Sequence, residues 1–235
     1  MSEANNFQFS IPMQFAALKS SRIRLKATDQ SPNQINRRVL AEPVSRFESL
    51  RCARFGWEPE SGWEVIEPLL QCILSWSKKP PQLSPEDLTE LRFLLPLDGV
   101  GGVLRERPGP PLFGQHPVLS PELVERGLSR FFEWVSSDSY AEIHPVEQAT
   151  LCQLRLLEIS PFSSYNHLVA IVFSYSFLSG SDYLWPTYQE HEMAGYATSM
   201  LEALSFSTAE LVELNLRACL RSYDQILSQP VQLDP

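Results

Sequence analysis

The chain predicts a mostly α-helical domain carrying one small β-hairpin. Three observations lead there. Helix-start signals recur: Ser84-Pro85-Glu86-Asp87 and Ser120-Pro121-Glu122 each set a capping hydroxyl before a first-turn proline and acids suited to the positive end of a helix dipole. Apolar residues then return at helical spacing, as in Val124, Leu128, Phe131, Phe132 and Val135. Glycine and proline, the strongest breakers, gather between Asp98 and Gln115.

Composition bounds the rest. A length of 235 residues suits one domain, or one domain with an added N-terminal layer. The chain is 43% hydrophobic and 20% charged, ordinary for a globular protein with a sizeable core. Its net charge of -9 argues against nucleic acid as the main partner, because phosphate binding needs a positive surface. The charge is uneven: +5 up to Arg54 and -14 beyond it. The basic arm is read as packing on the acidic body rather than on an anionic partner. Cys52, Cys72, Cys152 and Cys219 form no C-x-x-C pair and no zinc-spaced cluster, so no metal site is expected. No basic segment followed by an apolar core opens the chain, and the longest apolar run, Leu168 to Leu178, is too short to span a bilayer. The expectation is a cytoplasmic protein without membrane contact.

Residues 1–45 read as a polar N-terminal arm, in which Arg22-Ile23-Arg24-Leu25-Lys26 alternates like a short strand. Residues 46–235 read as a single helical domain. A helix covers the segment before Lys78-Lys79-Pro80-Pro81, with Pro68 placed in its first turn, and another runs from Pro85 to about Leu95. The stretch over about 98–115 fits a hairpin with an irregular tip. It is not a phosphate loop, because Gly99-Val100-Gly101-Gly102 leads into neither Lys-Ser/Thr nor a helix. Core helices occupy about 120–227. One opens at His144-Pro145, one covers His167 to Phe177 with Asn166 as N-cap, one spans about Pro186 to Leu204, and the last follows Ser207-Thr208-Ala209-Glu210. Between two of these lies Ser160-Pro161-Phe162-Ser163-Ser164-Tyr165, a loop held by rigid helices, where active sites tend to sit.

Several stretches follow one another in a recognisable order. Gly102-Val103-Leu104-Arg105 precedes Pro110-Pro111, and an aromatic helix with Phe131 to Trp134 comes next. His144-Pro145-Val146-Glu147-Gln148-Ala149 opens the following helix, and Ile159-Ser160-Pro161-Phe162 closes it. Ala194-Gly195-Tyr196 with Leu201 and Leu204 lies downstream. From Leu88 to Leu227 this order resembles a Fic domain, the fold shared by Fic, Doc and AvrB-like proteins. In that family a hairpin flap stands beside a loop reading H-P-F-x-[D/E]-G-N-G-R-x-x-R.

The resemblance implies a role for each slot of the loop. Active members are protein adenylyltransferases using ATP and magnesium. The family's histidine acts as general base, and here that slot holds Ser160, which cannot do so at neutral pH. The magnesium-holding acid is replaced by Ser164. Glycines that let main-chain N–H groups approach phosphate become Tyr165 and His167. The clamping arginines become Leu168 and Ile171. Pro161, Phe162 and Asn166 match. No cofactor and no metal are therefore expected.

Other groups in the loop have plainer readings. His167 reads as a packed or surface histidine, Ser160 has no identifiable base, and Cys152 reads as a core thiol. His191 between Glu190 and Glu192 reads as a solvated helix face. Arg105 is either an anion or peptide-carboxylate ligand or an exposed strand residue.

The function read from this is a Fic-like protein with a degenerate loop that is not a competent AMP transferase. It would bind a protein or peptide partner at the flap, around Val103, Leu104 and Arg105, as an added strand. One alternative is a divergent nucleotidyl- or phosphoryl-transferase using the same cleft. The other is an unrelated helical interaction protein.

Overall fold

The computed structural model describes residues 11–55, 63–76, 83–95 and 104–228. Among them lie eleven α-helices: α1 Ile11–Lys26, α2 Pro32–Ile35, α3 Ala41–Phe55, α4 Trp63–Trp76, α5 Pro85–Phe93, α6 Val124–Val135, α7 Asp138–Ala141, α8 Pro145–Ile159, α9 Asn166–Gly180, α10 Met193–Leu204 and α11 Ala209–Ser228. A π-helical turn, Asn36–Leu40, joins α2 to α3. No helix among the described residues is long and apolar enough to cross a membrane.

Helix α9 is the centre. Every residue from Leu168 to Ser179 is buried, so it has no solvent face and needs neighbours on all sides. α8 packs along it, and α4, α5 and α3 close the remaining sides. α6 covers α8, while α10 and α1 lie on α11. The rings of Phe131, Phe132, Trp76 and Phe173 meet at 5.0–6.3 Å in edge-on and tilted pairs, joining α4 and α6 to α9.

The segment expected as a short strand, Arg22 to Lys26, is instead the end of α1. The buried residues of α1 are Gln14, Leu18, Ser21 and Leu25, a helical stripe hidden from a hydropathy reading because two of its members are polar. Gln14 donates to Glu213 Oε1 at 3.2 Å across to α11. The fully buried Asn36 bonds the carbonyl of Tyr183 (3.0 Å) and the N–H of Trp185 (2.9 Å). Polar side chains thus dock this layer. Lys26 meets Asp182 at 3.8 Å, while Arg46 and Arg51 pair with Glu42 and Glu48 of their own helix.

Other helix ends differ in detail. The expected capping hydroxyl of Ser84 is present, and with Asp87 it forms a full capping box (2.8 and 3.4 Å). Pro68 lies inside α4, on its exposed side. The helix expected from Pro186 begins only at Met193, because the preceding backbone is claimed elsewhere: Trp185 N–H by Asn36 and Thr187 N–H by the Ala218 carbonyl at 3.2 Å. Of the cysteines, Cys152 and Cys219 are buried and free, while Cys72 is half-buried, its thiol pushed up to about 12 by burial and Glu90.

Candidate functional site

α8 ends at Ser160, whose backbone is left-handed (φ 43°) and whose N–H bonds the Leu156 carbonyl at 2.8 Å. The Ser160 hydroxyl turns back to the Leu157 carbonyl at 2.6 Å, away from any reacting group. Phe162 is buried, anchoring the loop in the core. Asn166 does not cap α9. Its Oδ1 accepts from the Phe162 N–H (2.8 Å) and its Nδ2 donates to the Phe162 carbonyl (2.7 Å), closing the loop on itself. The residue preceding α9 is Tyr165, buried and also left-handed (φ 62°). That conformation costs a non-glycine residue about 1–2 kcal/mol. Packing holds it, with the Arg92 guanidinium 5.4 Å from the Tyr165 ring centroid and 5.9 Å from that of Phe162. Arg92 also donates to the Ser164 hydroxyl at 3.3 Å. Sequence reasoning missed Arg92, because nothing local on α5 signals a contact so far along the chain.

The segment after residue 103 lies against this loop. The hairpin expected over about 98–115 is not shown as a ladder. Val103 and residues 96–102 lie outside the described residues, and beyond them the one antiparallel bridge described is Leu112 with His116. Pro108, Pro110 and Pro111 have no N–H to offer a ladder. Arg105 instead bonds the loop through its own N–H, which donates to the Pro161 carbonyl at 2.9 Å. Its side chain is 6% exposed. Nε donates to the Ser160 carbonyl (2.6 Å), Nη1 to that of Arg107 (3.0 Å), and Nη2 to those of Ile159 (3.3 Å) and Leu119. The guanidinium therefore caps the negative end of α8. Burial lowers its pKa, partly offset by Glu122. Leu104 is partly buried against the core.

Between these segments lies a cleft of about 220 Å³. One wall is Gly109 to Gly114 and the other is Ser160 with Phe162 to His167. The His167 ring meets Phe113 edge-on at 6.3 Å. Burial, and then the charge of Arg51, hold the His167 imidazole well below its ordinary value, at about 3, so it is neutral at physiological pH.

No protein-family model matches the sequence. Solved structures do. A segment of Fic-1 from C. elegans superimposes with a TM-score of 0.68 at 16% identity, covering 92% of this chain and 71% of that one. A Fic-domain-containing signaling protein from Bacteroides thetaiotaomicron gives 0.64 at 17% identity, covering 91% and 94%. IbpAFic2, covalently tethered to Cdc42, gives 0.58 at 17% identity, covering 89% and 70%. The chain has the Fic-domain fold.

If the loop at Ser160 to Ile171 holds the motif slots that the sequence resemblance implies, its groups can be compared with what ATP and magnesium need. Leu168 and Ile171, in the clamp slots, are fully buried in the core and offer no donor. Ser164 offers a hydroxyl already bonded by Arg92. Tyr165 retains the backbone of a glycine, but its ring fills the space a glycine would leave open. No group of three or more His, Cys, Asp or Glu able to hold a metal occurs among the described residues. This donor set does not fit magnesium-bound triphosphate.

Proposed function

We propose that this Fic-fold protein acts by binding a protein or peptide segment at the cleft between the flap and the loop, and not by nucleotidyl transfer. The observation that carries the reading is the chemistry of the cleft wall. Its thirteen described lining residues include no Asp, Glu, Lys or Arg, and the one imidazole among them is neutral. A polyphosphate with its metal needs cationic or carboxylate partners to replace its hydration, and a wall of Pro, Gly, Ser and aromatic groups supplies none. Size points the same way: about 220 Å³ falls below the roughly 300–1,000 Å³ common for small-molecule sites. The tethering of the similar IbpAFic2 to Cdc42 supports a protein as the kind of partner. The expected compartment is the cytoplasm.

Isothermal calorimetry with ATP and magnesium, followed by incubation with labelled ATP and a protein extract, tests the reading. The expected result is no magnesium-dependent heat and no transferred label. NMR titration with a pool of extended peptides should instead shift the amides of Leu112 to Gly114 and Ser163 to His167. Magnesium-dependent nucleotide binding, or label on any protein, overturns the proposal in favour of a divergent transferase.

A further inference from the structure

α11 ends at Ser228, and it ends beside a groove. This cavity, of about 480 Å³, lies away from the motif cleft, between α3 and the last turn of α11. Val39, Leu40, Val44 and Ile226 give it apolar walls. Phe47 and Tyr188 stack along it at 5.3 Å with 21° between their planes, forming a flat aromatic panel. Glu48 also lines it, but that side chain has no exposed surface and is held by Arg51 and by the Tyr175 hydroxyl (2.7 Å). The described lining residues therefore present no open charge. Gln225 and Ser228 stand exposed at the rim.

The sequence beyond Ser228 matches this groove in reach, pattern and charge. Gln229-Pro230-Val231-Gln232-Leu233-Asp234-Pro235 lies outside the described residues. Pro230 lacks the N–H that a further helical turn would need, and it disfavours a helical Gln229, so the sequence favours an extended path from the edge of the groove. An extended chain advances about 3.3 Å per residue, which keeps Val231 and Leu233 within about 10 and 17 Å of Ser228. Residues two apart share one face of such a chain, so Val231 and Leu233 point together, with Gln232 on the other side. Asp234 is the one charge in the segment. Arg37, exposed on the π-helical turn that also supplies Val39 and Leu40, offers it a cation.

We infer that residues 229–235 turn back over the α3–α11 groove as an intramolecular latch. Val231 and Leu233 lie on the Phe47–Tyr188 panel, between Val44 and Ile226. Gln225 donates its side-chain amide to a main-chain carbonyl of the segment, and Asp234 pairs with Arg37. The latch adds to the Gln14–Glu213 contact in tying the N-terminal layer to α11. It also covers the stacked rings, so a partner takes this groove only by displacing it. The inference does not depend on the reading of the motif cleft.

NMR on the full chain is the test. Nuclear Overhauser contacts are expected from the Val231 and Leu233 methyls to the Phe47 ring and the Ile226 methyls. Backbone order parameters above about 0.6 are expected from Val231 to Leu233. A mixture of isotope-labelled and unlabelled chains should show no such contacts between molecules. Leu233→Ser and Val231→Ser should each lower the apparent thermal midpoint by about 2–4 °C. Order parameters below about 0.6 without these contacts, contacts found only between molecules, or midpoints unchanged in both serine variants overturn the inference. Contacts between molecules would assign the groove to a second copy of the chain instead.

Discussion

Arg105 and Arg51 are both withdrawn from solvent, one at the foot of the motif loop and the other on α3 against the Tyr196 ring of α10, yet their donors are used differently. Arg105 places Nε, Nη1 and Nη2 on main-chain carbonyls of four residues. Arg51 faces three rings and one carboxylate, and two of its nitrogens have no hydrogen-bond partner among the described residues. Carbonyls contributed by the backbone stay in place whatever the side chains become. They make the loop region a fixed junction. A carboxylate is a side chain with its own charge, so the α3 region depends on two residues at once and leaves polar atoms unmatched.

The contrast can be broken most strongly from the loop side. Arg105→Ala should destabilise the fold by about 4 kcal/mol, since several charge-assisted bonds vanish and buried carbonyls are orphaned. Urea unfolding midpoints check this. Arg105→Lys should recover less than half, because one ammonium cannot span the same carbonyls. A cost under about 1 kcal/mol would show that the junction does not hold the fold.

Glu48→Gln should cost about 3 kcal/mol, because it leaves the Arg51 charge buried without its partner. The double variant Glu48→Met with Arg51→Met should be more stable than that single variant. A double-mutant cycle measures the difference. Additive costs would mean that the pair is not a coupled unit.

A third prediction concerns a half-buried group that is kept neutral. His144 Nδ1 accepts the Val146 N–H at 3.2 Å, and its ring meets Phe15 of α1 at 4.3 Å. Burial, and then Arg22, lower its pKa from 6.5 to about 4. The unfolded chain therefore binds the proton more readily. The associated stability is present above about pH 6.5 and falls as pH drops towards about 4, by about 2 kcal/mol after allowance for solvent. His167 steepens the same limb. Thermal midpoints against pH should show the decline, and His144→Asn, which keeps a cap acceptor, should reduce its slope.

The smallest effect lies far from both regions. Phe206 follows α10 with φ 72°, its N–H on the Ala203 carbonyl (3.0 Å) and the next N–H, of Ser207, on that of Glu202 (2.9 Å). This is a Schellman turn with phenylalanine where glycine is usual, and the ring is 96% exposed. Phe206→Gly should raise stability by about 0.5–1 kcal/mol, read as a higher thermal midpoint.

These sites also mark where the sequence could be read. The helices from Pro85 onward follow from caps and apolar spacing, and the order of motifs was enough to suggest the Fic fold. Four things were not legible, for separate reasons. The stripe of α1 alternates apolar with polar members, so it carries little hydropathy signal. The late start of α10 depends on Asn36, more than a hundred residues upstream, claiming the Trp185 backbone. Within the loop, sequence identified which chemical groups are present but not their geometry. Asn166 clamps Phe162 instead of capping α9, and Tyr165 keeps a glycine's backbone through packing by Arg92. The cage around Arg51 is wholly tertiary, assembled by residues from α3, α10 and the segment between α9 and α10.

The all-round burial of α9 has a consequence outside the native state. From Leu168 to Leu178 the chain carries no charge, no proline and no glycine, and it is rich in β-branched and aromatic residues. Once unfolded, that segment has the makeup of a self-associating strand. Its protection is entirely the cover of its neighbours, so opening one side exposes it to other copies of the chain. Heating is therefore expected to end in precipitation rather than in a reversible transition. The working lifetime of the protein would then be set by how fast α4, α5 and α8 separate from α9, a rate and not an equilibrium.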